Sequence, residues 1–149
     1  MRYCTKSPNA VARITGGVEQ PQLSGCVQFY QENGCVLIVA KIWGLPKVSE
    51  TGFFGLHIHQ GRDCYGTEFS GTEGHYNPTG QAHPEHAGDL PPLLRCRGDA
   101  YLSVKTDRFS VNEIIGRTVV IHSDPDDFHT QPAGNAGKKI ACGVIQKVR

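Results

Sequence analysis

Seven apolar runs, none longer than ten residues and separated by Gly, Pro, Asn and Asp, carry the hydrophobic content of this chain. They are "AVARI" (10–14), "GCVQFY" (25–30), "CVLIVAKIW" (35–43), "FFGLHIHQ" (53–60), "DAYLSVKT" (99–106), "RTVVIH" (117–122) and "KIACGVIQKV" (139–148). Apolar and polar residues alternate within them, as in half-buried strands, and the turn residues between them stop any helix from running on. The 18 Gly and 9 Pro fit the same reading. The chain is therefore expected to be all-β, a single domain over residues 1–149, with two long irregular segments at 61–98 and 123–138. Connections of that length inside a compact domain are usually functional or held by a ligand.

Charge narrows the range of partners. Fifteen Lys and Arg against fourteen Asp and Glu leave a net charge of +1 with no charged block, which argues against nucleic acid and against an anionic membrane surface. No segment has the length of a membrane span, and the first residues, "MRYCTKSPNAVARI", carry no apolar run of signal-peptide length. The expectation is a cytoplasmic protein, with a removed export signal as the alternative. Phosphate loops, dinucleotide fingerprints and a G-x-S-x-G elbow are all missing. Cys4, Cys26, Cys35, Cys64, Cys96 and Cys142 are too sparse for a disulfide scaffold and form no C-x-x-C pair. Spacing alone reads them as six free thiols.

Histidine is distributed unevenly. In "FFGLHIHQ", period two puts Phe54, Leu56 and Ile58 on one face and Phe53, Gly55, His57 and His59 on the other. With the apolar face turned inward, the two imidazoles project from the opposite face at a separation that lets them converge on one ion, or they are simply solvated. The stretch "GHYNPTGQAHPEHAGDL" (74–90) then places His75, His83, His86 and Asp89 on a loop broken by Gly and Pro. Four N and O donors are what a tetrahedral zinc site requires, and a metal would give this loop a reason to be ordered. His122 ends "RTVVIH"; taken alone, it reads as structural. "SDPDDFH" (123–129) taken alone reads as a solvated acidic turn.

Taken in order, "GLHIHQ", "GHYNP", "HAGDL", "IGRTVVIH" and "GNAGKKIACGVI" resemble the motifs of copper/zinc superoxide dismutases, over about residues 10 to 147. The resemblance implies an eight-stranded Greek-key β-sandwich or barrel with two long functional loops. It implies that His57, His59, His75 and His122 hold copper, and that His75, His83, His86 and Asp89 hold zinc, with His75 bridging the two. By the same resemblance, Asp126 accepts hydrogen bonds from His57 and His83, and Cys64 pairs with Cys142 in a disulfide. The implied reaction is dismutation of superoxide to dioxygen and hydrogen peroxide, with His75 and Lys139 as catalytic residues and superoxide as the small-molecule partner. The alternative is a non-catalytic member of the same fold that buffers or delivers metal. A homodimer is compatible with the resemblance, but its interface is not specified, because dimer contacts differ between bacterial and eukaryotic branches.

The chain also departs from the family pattern. Lys139 stands where most members have arginine, keeping the positive charge but losing the planar fork. Ala133 replaces a frequent threonine. Only "FHTQPA" lies between Asp127 and Gly134, so the charged loop that steers superoxide in many relatives is mostly absent, as in bacterial members, and guidance is expected to fall to Lys139 and Lys138. Only two residues separate His83 from His86, a spacing expected to strain the zinc site or move its third histidine. His129 is expected to be a solvated loop residue, and Cys4, Cys26, Cys35 and Cys96 free thiols.

Overall fold

The structure, a computed structural model, describes residues 6–47 and 50–149; the expected free thiol Cys4 lies outside them. All seven apolar runs become strands of one antiparallel sheet. They are β1 (Ala10–Gly16), β2 (Ser24–Gln31), β3 (Val36–Trp43), β5 (Leu56–His59), β7 (Ala100–Thr106), β8 (Thr118–His122) and β9 (Lys139–Lys147), in the spatial order β5-β8-β9-β1-β2-β3-β7. The expected strand over 53–60 is split at Gly55. Its first half, β4 (Phe53–Phe54), pairs instead with β6 (Leu93–Leu94) in a two-stranded ladder that period-two alternation did not reveal. The described residues thus form nine strands, seven in the main sheet and two in this ladder, and the sheet curls over one core.

The register shows why alternation specifies the inner face. Ala10, Phe29, Ile38 and Val104 form one cross-strand rung, and Ala12, Val27, Ala40 and Leu102 the next. All of these except the two β7 residues are fully buried. A large side chain removed from water in this way contributes about 1.5–3 kcal/mol, and a one-residue slip would turn the whole set outward. Among the described residues no helix is long and apolar enough to cross a membrane.

The irregular segments contain more structure than expected. Residues Thr67–Thr72 form two short 3-10 turns joined through Glu68 and Phe69, whose φ values are 53° and 57°. Outside those segments, between β7 and β8, a single helical turn, α1 (Val111–Ile114), buries Val111 and Ile114. The reading of six free thiols is corrected: Cys64 and Cys142 are bonded, with Cα atoms 5.9 Å apart and 78 residues between them in sequence, while Cys26, Cys35 and Cys96 are free. Spacing could not show this pairing because the loop it closes runs through half of the chain.

Closing a loop of this length removes unfolded-state entropy equivalent to about 4–5 kcal/mol in the chain-entropy model. Replacing both Cys64 and Cys142 with Ser is expected to lower the unfolding free energy of the metal-free protein by roughly 3–5 kcal/mol. Urea titration followed by circular dichroism measures this, and a loss below about 1 kcal/mol would show that the bridge constrains little of the unfolded chain.

Candidate metal centre

Strand β5 lies at one end of the sheet, so one of its edges has no neighbouring strand in the ladder. Two parts of the 61–98 segment cover that edge. Tyr76 N–H donates to Ile58 O at 2.8 Å, Ile58 N–H to Gly88 O at 2.8 Å, and Gln60 N–H to Gly74 O at 2.9 Å. These bonds bring His59 opposite His75 and His57 opposite Asp89. The approach requires glycine: a Cβ on Gly88 would lie 2.2 Å from Ile58 O. An unprotected sheet edge is thereby used to set donors from the loop beside donors from the strand.

Both imidazoles of β5 are buried, so of the two readings of this strand the solvated pair is excluded. The loops close over their face. His122 joins from β8 at a bulge, where His122 faces Lys139 while Ile121 faces Ala141, leaving Ile140 as the extra residue on β9. Bulges of this kind re-aim a side chain beside a site.

Two donor groups result: His57, His59, His75 and His122, and His75, His83, His86 and Asp89, with the ligand atoms of each within 4.8 Å of one another. In the first, His59 Nε2 and His122 Nε2 lie 3.3 Å apart. His57 Nδ1 and His75 Nε2 are buried without a hydrogen-bond partner, which is costly unless something else uses their lone pairs. Burial, reinforced by the neighbouring imidazoles, holds His59 and His122 well below the ordinary histidine value. Burial also lowers His57, against the opposing pull of Asp126. The neutral imidazoles favoured in this way are the form that binds a metal.

The second group is tighter. Asp89 Oδ1 lies 2.8 Å from His75 Nδ1, and Asp89 Oδ2 lies 3.0 Å from His83 Nδ1 and 3.2 Å from His86 Nδ1. His86 Nδ1 is 3.3 Å from His75 Nδ1. Donors set tetrahedrally at zinc–nitrogen distances stand about 3.3 Å apart, and the three imidazole nitrogens and the Asp89 carboxylate lie at separations close to that. Burial pushes the Asp89 carboxyl up, but the hydrogen bond from His75 and the neighbouring imidazoles outweigh it and hold the group below its usual value. The two-residue spacing of His83 and His86 does not displace the third histidine. A turn closed by Glu85 N–H to Ala82 O at 2.7 Å brings both rings to the site.

The family profile of copper/zinc superoxide dismutase matches residues 23–145. The chain belongs to the copper/zinc superoxide dismutase family. It is 38% identical over 140 residues to copper/zinc superoxide dismutase 2 of Aquifex aeolicus, covering 84% of this chain and 80% of that one. It is 35% identical over 153 residues to copper/zinc superoxide dismutase 3 of Arabidopsis thaliana, covering 91% and 88%. Copper and zinc are the metals of the family, and the two histidine groups offer donors suited to both.

Around this superoxide dismutase centre, Asp126 is buried between two rings. Its Oδ2 accepts from His57 Nε2 at 2.7 Å, and its Oδ1 accepts from His83 Nε2 at 2.8 Å and from Phe128 N–H at 2.7 Å. Burial pushes this carboxyl up, yet the hydrogen bonds from His57, His83 and Phe128 hold it well below the carboxylate range. Gly134 leaves the necessary room, because a Cβ there would sit 2.1 Å from Asp126 Oδ1. Lys139 Nζ donates to Thr72 Oγ1 at 2.8 Å and to Glu73 O at 2.9 Å, and burial lowers its pKa. Beside it lies a cavity of about 460 Å³ lined by Lys138, Lys139 and Phe69, with none of the metal-donor histidines in its wall. His129 is exposed and belongs to neither donor group.

Sequence reasoning missed two supporting residues. Gln131 clasps the His83 backbone, accepting its N–H at 2.8 Å and donating to its C=O at 2.7 Å. Arg108 donates to Pro84 O at 2.8 Å and to His86 O at 3.1 Å. Neither sits in a motif, and both act on backbone groups that only the fold brings near.

Removing Asp126 would leave His57 Nε2 and His83 Nε2 unpartnered at the same time. Asp126→Ala is therefore expected to weaken binding at both donor groups by about 10–100-fold each, as read by competition with chelators for each metal. A loss confined to one metal would show that the carboxylate orients only one ring.

Proposed function

We propose that this protein dismutates superoxide, converting two superoxide anions and two protons to dioxygen and hydrogen peroxide. The observation that carries the reading is one imidazole belonging to two donor groups. His75 turns Nδ1 to Asp89 and His86 and leaves Nε2 buried without a partner in the group of His57, His59 and His122. In this reading His57, His59, His75 and His122 hold copper, and His75, His83, His86 and Asp89 hold zinc. When bound, copper supplies the one-electron couple that one superoxide reduces and the next oxidises, and zinc, which has no redox chemistry, supplies fixed positive charge.

The chain's own groups then have distinct tasks. His75 Nε2 takes up a proton in the half-reaction that releases dioxygen and gives it up in the half-reaction that forms hydrogen peroxide. Without metal, Asp89 holds the His75 ring through Nδ1, which turns Nε2 toward His57, His59 and His122; with zinc bound, the two would be co-ligands. Asp126 fixes His57 and His83 through the nitrogens that face away from the donor groups. Glu73 O accepts from His59 Nδ1 at 2.8 Å, which directs His59 Nε2 into the centre. Lys139 supplies positive charge for the incoming anion. A homodimer belongs to the same proposal.

The test is second-order superoxide decay after pulse radiolysis, on protein loaded with one copper and one zinc per chain. A rate within about tenfold of the diffusional ceiling of 10⁸–10⁹ M⁻¹s⁻¹ is expected; a rate no better than that of the buffer would favour metal storage or delivery. His122→Ala is expected to abolish turnover while leaving zinc bound, because His122 belongs only to the first group. Retained activity would sink that assignment. Lys139→Arg is expected to raise the rate about two- to fivefold, and more at low salt than at high, since a planar fork offers two aligned donors to an anion. An unchanged rate would remove Lys139 from anion guidance.

A further inference from the structure

We propose that Thr72 is a positioning residue for anion capture, its hydroxyl anchoring the Lys139 ammonium beside the metal centre. The proposal rests on the reading of Lys139 as the guiding cation.

The hydrogen-bond polarity leaves one arrangement. Thr72 Oγ1 lies 2.8 Å from Phe69 O and 2.8 Å from Lys139 Nζ. A carbonyl can only accept and an ammonium can only donate, so the single hydroxyl proton goes to Phe69 O and the oxygen receives a proton from Lys139. Thr72 is fully buried, and its own carbonyl accepts from Gly61 N–H at 2.8 Å, so the acceptor is fixed at both ends. The left-handed φ values of Phe69 and Glu73, 57° each, fold this segment back so that Phe69 O, Thr72 Oγ1 and Glu73 O converge on one region.

The second anchor ties the cation to the metal donors. Glu73 O accepts both from Lys139 Nζ and from His59 Nδ1, so the ammonium is registered against the carbonyl that orients a copper-group histidine. An ammonium carries three protons. Two are held by the protein, leaving one for an anion. A lysine on its flexible stem would otherwise lose rotamer freedom on each capture, and the anchor orders it beforehand.

The experiment compares wild type, Thr72→Val, which keeps the shape and removes the hydroxyl, and Thr72→Ser, which restores it. The first readout is ¹⁵N NMR of the lysine ammonium groups in the reduced, diamagnetic copper- and zinc-loaded protein. A slowly exchanging Lys139 ammonium is expected in wild type and Thr72→Ser and not in Thr72→Val, while exposed Lys138 exchanges fast throughout. The second is superoxide decay against ionic strength. Thr72→Val is expected to lose roughly tenfold at low salt, the effect of one hydrogen bond to a charged group, and Thr72→Ser to stay within about twofold of wild type. A wild-type Lys139 ammonium that exchanges as fast as that of Lys138 overturns the anchor, whether or not the valine variant folds. So does slow exchange retained in Thr72→Val with an unchanged rate. If the anchor is seen but Lys139→Met leaves the rate and its salt dependence unaltered, the guidance reading fails, and with it the catalytic half of the proposal.

Discussion

The buried carboxylate of Asp126 is the constraint on which the centre depends. It belongs to the segment after β8, yet it binds a ring from β5 and a ring from the 61–98 loop, so one side chain joins three separate parts of the chain. A buried carboxylate is stable only with its lone pairs satisfied, and Asp126 has three donors within 2.8 Å. Each donor bond also settles which nitrogen of its histidine is free. With Nε2 of His57 and of His83 committed to Asp126, Nδ1 of each is left for the interior of its group, and Nδ1 of both lacks a hydrogen-bond partner. Ring orientation is thus decided outside the donor groups.

The second consequence is energetic. Six imidazoles and two carboxylates share a small buried volume, an arrangement that desolvation opposes. The fold keeps His59 and His122 neutral by burial and keeps Asp89 and Asp126 ionised by hydrogen bonds. The neutral rings of His59 and His122 and the ionised Asp89 carboxylate match divalent cations in ligand type. Metal binding therefore releases a cost that the sheet, the disulfide and the loop clasps have already met, which couples occupancy to stability.

Local alternation in the sequence was enough to read the seven sheet strands, because each packs one face against the core and period two records which face. The small ladder was not readable: β4 and β6 are two residues each, too short for any period. The donors were visible as residue types at suggestive spacing, and the motif order named the family, but the edge pairing of β5 with residues 74–76 and 88–89 depends on tertiary contact. Whether His57 and His59 were solvated or converged on an ion stayed open for the same reason, since the loops that cover them are not encoded in the strand's own pattern. Gln131 and Arg108 act through backbone carbonyls and amides, which no residue spacing records. Cys64 and Cys142 were paired by resemblance alone; nothing local distinguishes them from Cys26 or Cys35.

The electrostatics close the argument about guidance. With a net charge of +1, the protein as a whole exerts little long-range pull on an anion, and at physiological ionic strength any surface field decays within about 8 Å. The acids of the short 123–138 segment are tied down by hydrogen bonds and offer no pull on an anion. Asp124 binds the Ser123 hydroxyl, Asp126 is committed to the rings, and Asp127 is held at about 2 by the Thr130 hydroxyl and the backbone N–H groups of His129 and Thr130. Steering thus reduces to the cations nearest the centre. Lys138 is exposed and free to be screened, whereas Lys139 is half-buried and held by Thr72 and Glu73. In the proposed reaction, a guiding charge that acts only at short range has to be in the right place before the anion arrives, and the hydrogen bonds to Lys139 would provide that placement where a charged loop does not.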